Sequence, residues 1–290
     1  MSLRLVSNRE IQAATLSALE EIYCQPEARI IELLKSARAN ETEPLAMDML
    51  DAILANAELA ARDRVPTCQD TGLLVVFAQL GTGICLEEPG LREILGSAAK
   101  YAWKELYLRD SLALDPLRGQ IPGIQAVPSD NSTLPLILHL EQVPGDKLTL
   151  HFCLKGGGAE NCGALRMFAP TASLAEIGGF IVSTVVEAGG KPCPPVLVGV
   201  GIGGDFELCA LMAKQALVLP RNASEQDGAL LPWEQELLRQ INAKGKGVQG
   251  MGGQTTVLDL RILTAPCHIA SLPVAVNIEC HAHRSTSRVI

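Results

Sequence analysis

The chain has 290 residues, 48% of them hydrophobic but only 3% aromatic, so its core must be aliphatic and rich in alanine. A net charge of −8 excludes the basic footprint of a nucleic-acid-binding protein and leaves recognition of a small anion to a few local Arg, Lys and N–H groups. Met1–Val6 lacks the apolar region of a secretory leader and no apolar stretch reaches the roughly 18–20 residues of a membrane span, so a cytoplasmic protein is expected.

Ser7-Asn8-Arg9-Glu10 reads as a capping box, with Val6 and Ile11 placed as its hydrophobic staple. Ile11, Thr15, Ala18, Leu19 and Ile22 then recur at helical spacing. A second helix is expected from Pro26 and a third from Pro44, the latter carrying Leu45, Met49, Ala52 and Ile53 on one face. Residues 1–65 thus read as a helical layer, and residues 66–290 as the half bearing the chemistry, within one domain of 1–290.

Pro66–Gly72 is a polar turn between helix and strand, holding a thiol, an amide, a carboxylate and a hydroxyl in succession. Such a turn serves either as a site at a strand mouth or as an ordinary helix stop. A strand from Leu73 to Phe77, a helix over 87–106 and a loop over 115–133 follow. Strands are expected over Leu134–Leu140 and Lys147–Leu154, joined by the Pro144-Gly145-Asp146 turn. Three glycines, Gly156 to Gly158, then permit close backbone approach to a ligand. Further helices are expected over Ser173–Glu187, Asp205–Leu217 and Pro232–Ala243, and strands over Val196–Val200, Thr255–Leu263 and Leu272–Glu279. The alternation is irregular, which points to an α/β protein of mixed sheets flanked by helices rather than a doubly wound parallel sheet.

Gly199-Val-Gly201-Ile-Gly203-Gly204 satisfies the dinucleotide fingerprint, but no second strand ends in a ribose-binding acid. Close packing, or anion contact at a helix N-terminus, accounts better for these glycines. The nine cysteines form no CxxC pair and are expected mostly as buried small hydrophobes. Cys85, Cys153 and Cys209 lie in apolar runs, whereas Cys68, Cys193 and Cys280 sit at element boundaries among polar, Pro or Gly residues. Three thiolates would leave one iron of a [4Fe–4S] cluster open, although spacing alone defines no motif. His268 lies in a loop between strands; the other four histidines read as structural.

Cys68-Gln-Asp-Thr-Gly72, Arg109-Asp-Ser111, Lys155-Gly-Gly-Gly-Ala-Glu-Asn161, Cys193-Pro-Pro195, Gly199–Gly204 and His268-Ile-Ala-Ser-Leu-Pro273 leading to Cys280 occur in this order over nearly the whole chain. Together they resemble the catalytic alpha subunit of class I fumarate hydratase, the iron–sulfur fumarase and L-tartrate dehydratase family. The resemblance implies a hydro-lyase that hydrates fumarate to (S)-malate, a reaction of the tricarboxylic acid cycle. It implies a [4Fe–4S] cluster on Cys68, Cys193 and Cys280, with Asp70 and His268 acting on the chemistry. Gln69, Arg109, Gly157 and Lys155 match substrate-binding positions, Lys155 being open to a second reading as a solvated strand-end lysine.

The sequence departs from the family at Ser129-Asp130-Asn131-Ser132-Thr133 and at Cys162, and it stops ten residues after Cys280. By the resemblance, single-chain members continue into a second domain, so a separate beta subunit and a homodimer of this chain within a heterotetramer are expected. The rival substrate is tartrate. A non-catalytic iron–sulfur redox protein is the rival class, but electron transfer has no need of Asp70, Arg109 and His268.

Overall fold

The computed structural model describes residues 3–109, 111–112, 117, 120, 136–221, 228 and 230–290. The fold is α/β, and the chain divides into two compact units. One comprises Met1–Glu27, Leu59–Lys155 and Arg284–Ile290; the other comprises Ala28–Glu58 and Gly156–His283.

In the first unit, β1 (Arg4–Val6) leads into α1 (Asn8–Ile22) through the expected capping box. The Ser7 hydroxyl accepts from the Glu10 N–H, and the Glu10 carboxylate accepts from the Ser7 N–H at 2.8 Å. Val6 and Ile11 are both buried, as a staple requires. β2 (Leu73–Gly81), β3 (Ile84–Leu86) and α4 (Leu91–Glu105) follow, then β4 (Leu136–Val143) and β5 (Leu148–Lys155). The last strand, β10 (Ser285–Val289), closes the sheet order β10-β5-β2-β4, in which only β2 and β4 run parallel. Leu148, Leu150, Phe152 and Leu154 of β5 pack with Ile11, Leu19, Leu95 and Trp103 of the two helices in one aliphatic core. The expected helix over 87–106 begins only at Leu91, after β3 and an N-cap at Gly90 whose φ of 107° is not helical. Most of the expected loop over 115–133, and Leu134 and Pro135 of the expected strand, lie outside the described residues.

In the second unit, α2 (Ala28–Asn40) starts two residues after Pro26, which therefore precedes the helix instead of opening it. α3 (Pro44–Asp63), whose residues from Leu59 on belong to the first unit, does open on its proline, but its buried residues are Ala46, Leu50, Ala57 and Ala60, while Leu45 is 46% exposed. The larger apolar residues suggested a rotated face because three of the four inward residues are alanines, which carry little apolar signal. α5 (Gly157–Glu160), β6 (Ala164–Phe168), α6 (Leu174–Ala188), β7 (Val196–Gly203), α7 (Phe206–Val218), α8 (Leu231–Lys244), β8 (Val257–Ala265) and β9 (Leu272–Glu279) complete the unit. The sheet order is β6-β9-β7-β8, again with a single parallel pair, β7 and β8.

β7 decides the packing on both faces of this sheet. Val196, Val198 and Val200 join Ile181 and Val185 of α6 and Leu237 and Ile241 of α8 in one core. On the alternate positions a Cβ at Gly199 would lie 2.1 Å from the Ala213 carbonyl oxygen, and one at Gly201 would lie 2.0 Å from that of Cys209. These glycines let α7 lie directly on the strand. The Asp205 carboxylate accepts from the N–H groups of Glu207 and Leu208 at 3.1 and 2.7 Å, so the start of α7 is already capped. Close packing, not anion contact, therefore accounts for the glycine run. No described helix is long and apolar enough to cross a membrane.

Candidate functional site

The antiparallel register that pairs Leu197 with Glu279 brings the start of β7 beside the end of β9. Cys193 and Cys280 are thereby gathered at one end of the β6-β9-β7-β8 sheet. The His281 ring joins their loops: Nδ1–H donates to the Cys193 carbonyl at 2.9 Å. Burial pulls the His281 pKa down and that carbonyl bond only partly restores it, so the ring is neutral near pH 7. Gln249 donates to the Pro194 carbonyl through both its main-chain N–H, at 2.8 Å, and its Nε2, at 2.7 Å.

The local backbone explains how such bonds form. Cys193 has φ 56° and Gln249 has φ 53°, left-handed conformations that cost side-chain-bearing residues about 1–3 kcal/mol. Gly250 must lack a side chain, since a Cβ there would lie 2.7 Å from the Cα of Gly190. The 247–253 loop thus packs backbone to backbone on the turn before Cys193. Glu41 holds the far side of this loop, accepting from the N–H groups of Thr42, Glu43 and Gln254 at 2.9, 3.0 and 2.8 Å. Burial raises the Glu41 pKa, but the three donors outweigh it and the net shift is downward. At Cys280 the N–H and the thiol both lie toward Glu279 Oε1, at 3.2 and 3.7 Å.

The Cys68 turn belongs to the first unit. Thr67 anchors it, its N–H donating to the Tyr23 carbonyl at 3.0 Å, while the Tyr23 hydroxyl donates to the Arg64 carbonyl at 2.6 Å. The Asp70 N–H points at the Cys68 sulfur at 3.4 Å, and Asp70 Oδ1 accepts from the Gly72 N–H at 2.9 Å. Gly72 has φ 79°, which this tight turn requires. Gln69 is exposed, and its Oε1 accepts from the Cys68 thiol at 3.4 Å. Arg109 is also exposed, beyond the end of α4 and next to the buried Leu108.

Lys155 is 1% exposed, which rules out the solvated strand-end lysine. Gly157 opens the single turn of α5, and none of the three glycines there has positive φ. Glu160, three residues on, is held by the Lys214 ammonium of α7 and by Asn277 Nδ2 of β9 at 3.1 Å. Cys162 donates to the Gly158 carbonyl at 3.4 Å and lines a groove of about 370 Å³ together with Phe180, Thr184 and Lys191.

His268 lies at the opposite end of the sheet, in the exposed loop from β8 to β9. Its Nδ1 accepts from the Ala270 N–H at 3.1 Å, which orients the ring on its own loop. The structure therefore unites Cys193 and Cys280 and separates both from His268 within this unit.

The thiols sort differently from expectation. Cys24, Cys153 and Cys209 are buried, but Cys85 is exposed despite its apolar neighbours, because β3 is a three-residue strand that, among the described residues, pairs with β1 alone. Cys68 and Cys280 are half-buried and Cys193 is exposed. Gln249, Glu160, Asn277 and the supporting role of His281 were not foreseen. The available signal was the run Gly245, Gly247, Gly250, Gly252, Gly253, which marks a backbone-packed loop.

The family model described as fumarate hydratase (Fumerase) matches residues 12–289, and the chain belongs to that family. It is a hydro-lyase of an iron–sulfur-dependent family. A Methanocaldococcus jannaschii protein, provisionally named an L(+)-tartrate dehydratase subunit alpha, is 36% identical over 252 residues, covering 87% of each chain. The L(+)-tartrate dehydratase alpha subunits of Escherichia coli O157:H7 and K12 are each 26% identical over 255 residues, covering 88% of this chain and 82% of theirs.

Proposed function

We infer that this chain is the alpha subunit of a two-subunit fumarate hydratase, converting fumarate and water reversibly to (S)-malate, with Cys68, Cys193 and Cys280 holding a [4Fe–4S] cluster. The observation that carries this reading is the His281 bond to the Cys193 carbonyl, which gathers two thiol-bearing loops outside the apolar cores. The donor set fits the group: all three thiols lie on loops at strand ends, and Cys68 already accepts an N–H hydrogen bond, as cluster sulfurs do. When bound through three thiolates, such a cluster supplies one open iron as a Lewis acid.

The remaining work falls to side chains. Asp70, held by the Gly72 N–H through Oδ1, moves the proton at the substrate carbon next to the hydroxylated one. His268 offers Nε2–H to a substrate oxygen. The Arg109 guanidinium is permanently charged and suited to bidentate pairing with a carboxylate. Gln69 and the Gly157 backbone add polar contacts, and Lys155 adds positive potential. Loss of Asp70 should therefore lower kcat at equal iron content, whereas Arg109→Ala should chiefly raise KM. The names of the relatives, subunit alpha, support a separate beta subunit, and an α2β2 assembly is the form we infer.

Dehydration of L(+)-tartrate by the same residues is the second reading, favoured by what those relatives are named. The two are separated by anaerobic reconstitution of the chain with iron and sulfide, together with its beta subunit, and initial rates on both diacids. Faster turnover of fumarate is expected. Turnover of tartrate alone transfers the assignment to the second reading, and no turnover of either at full iron content contradicts both.

A further inference from the structure

α5 is a single helical turn that opens on two glycines and is preceded by a third, Gly156. The N–H groups of Glu160 and Asn161 donate to the Gly156 and Gly157 carbonyls, each at 3.1 Å. Those of Cys162 and Gly163 donate to the Ala159 and Glu160 carbonyls at 3.1 and 3.2 Å. One turn is too short to be stable by itself, and glycine is among the poorest helix formers. The turn must therefore be held from outside.

Glu160 supplies the hold. One carboxylate oxygen pairs with the Lys214 ammonium of α7, and the other accepts from Asn277 Nδ2 of β9 at 3.1 Å. The Asn277 amide is committed to this bond, because its Oδ1 is buried and has no hydrogen-bond partner among the described residues. A buried acceptor left unsatisfied costs stability, so the amide is placed there for its donor. On its other side the turn rests on the loop of Cys193, where a Cβ at Gly158 would lie 3.7 Å from the Lys191 carbonyl oxygen. α5 is thus fixed between this clamp and the thiol end of the sheet.

We propose that Glu160 is a positioning residue for the substrate: through Lys214 and Asn277 it ties α5 to α7 and β9, and so holds the Gly157 backbone where the diacid binds. This rests on the reading above, in which Gly157 contacts the substrate. Both Glu160 oxygens are engaged, so the residue moves no proton and acts only through the turn. A main-chain contact is made to the bound diacid before and during reaction alike. Its loss therefore raises KM and spares kcat.

Two variants remove the clamp in different ways. Glu160→Ala deletes the carboxylate, whereas Asn277→Asp keeps the shape of the amide and turns its donor into a second carboxylate facing the first. In the reconstituted enzyme with its beta subunit, each should raise KM for the diacid about tenfold or more, the worth of a hydrogen bond to a charged group. Both kcat and iron content should stay at the wild-type level. Glu160→Gln, which keeps an acceptor for Asn277 Nδ2, should recover part of the loss. In the chain without iron, hydrogen exchange of the Glu160–Gly163 amides should quicken severalfold in both clamp variants.

A merely structural role would lower the melting temperature and leave KM alone, so an unchanged KM in both variants overturns the proposal. Unchanged exchange at Glu160–Gly163 does the same, since the turn would then be held without the clamp. A wild-type enzyme that turns over no diacid at full iron content rejects the reading itself, and with it any substrate role for α5. That failure shows without any variant, and faster exchange in the variants would still locate the clamp at Glu160.

Discussion

At the end of the β6-β9-β7-β8 sheet where β7 begins, side chains bind main chain across long stretches of sequence. His281 reaches the Cys193 carbonyl and Gln249 the Pro194 carbonyl, while Glu41 gathers three N–H groups of its own turn and the glycine loop. Where β7 ends, the side-chain bonds are local: Asp205 caps its own helix and His268 accepts from a residue two positions on. The first end is built as a rigid holder before any ligand arrives. The second is an exposed apolar surface carrying one oriented imidazole. The two ends therefore differ in how their side chains are tied, across the chain at the first and within a turn at the second.

The comparison can be broken at several points, beginning with the strand that joins the two ends. Gly201→Ala places a methyl group 2.0 Å from the Cys209 carbonyl oxygen, backbone that cannot move aside. A loss of about 3 kcal/mol or more is expected in urea unfolding. Gly96→Ala, in α4 with nothing within 4 Å of the added Cβ, should instead gain about 0.5–1 kcal/mol.

Glu41→Gln tests the holder. Loss of the charged acceptor should cost about 1–3 kcal/mol at pH 7. The Glu41 carboxyl is held below its ordinary pKa in the folded protein, so its contribution is present above the ordinary carboxylate range and is lost as pH falls through the depressed folded value. The gap between wild type and Glu41→Gln should therefore narrow in acid; a gap independent of pH down to the acid transition would remove Glu41 from this role.

At the other end, Asp205→Ala should cost about 1 kcal/mol through the lost cap and leave iron binding unaltered. The smallest expected effect on stability is that of His281→Leu, about 1 kcal/mol or less. In the reconstituted protein, however, it should hasten iron release to a chelator severalfold, and His281→Asn, whose Nδ2 stands in for Nδ1–H, should restore the slow rate.

Local chemistry was legible in the sequence. The Ser7 capping box, the Asp205–Leu217 helix and the Leu272–Glu279 strand all follow from residues within a few positions of each other. β6 and β10 were not foreseen, because Ala164–Phe168 and Ser285–Val289 are edge strands carrying Arg166, Arg288 and three hydroxyl residues between them. An edge strand with an exposed face lacks the apolar signal of a central one. The thiol loops stood out by their Pro, Gly and polar neighbours. Gln249 and His281 did not, since their partners lie 55 and 88 residues away and nothing local marks the pairing. The separation of His268 from Cys280 likewise emerged only with the strand between them.

The cofactor assignment is tested most directly by counting iron and recording visible absorption after anaerobic reconstitution of nine single Cys→Ser variants. Burial pushes the thiols of Cys24 and Cys209 up, away from the thiolate that a metal requires, and Cys153 is enclosed in the core. The account predicts that the brown chromophore is lost in Cys68→Ser, Cys193→Ser and Cys280→Ser and retained in the other six. Full chromophore in any of those three, or its loss in a correctly folded Cys85→Ser or Cys267→Ser, would contradict it.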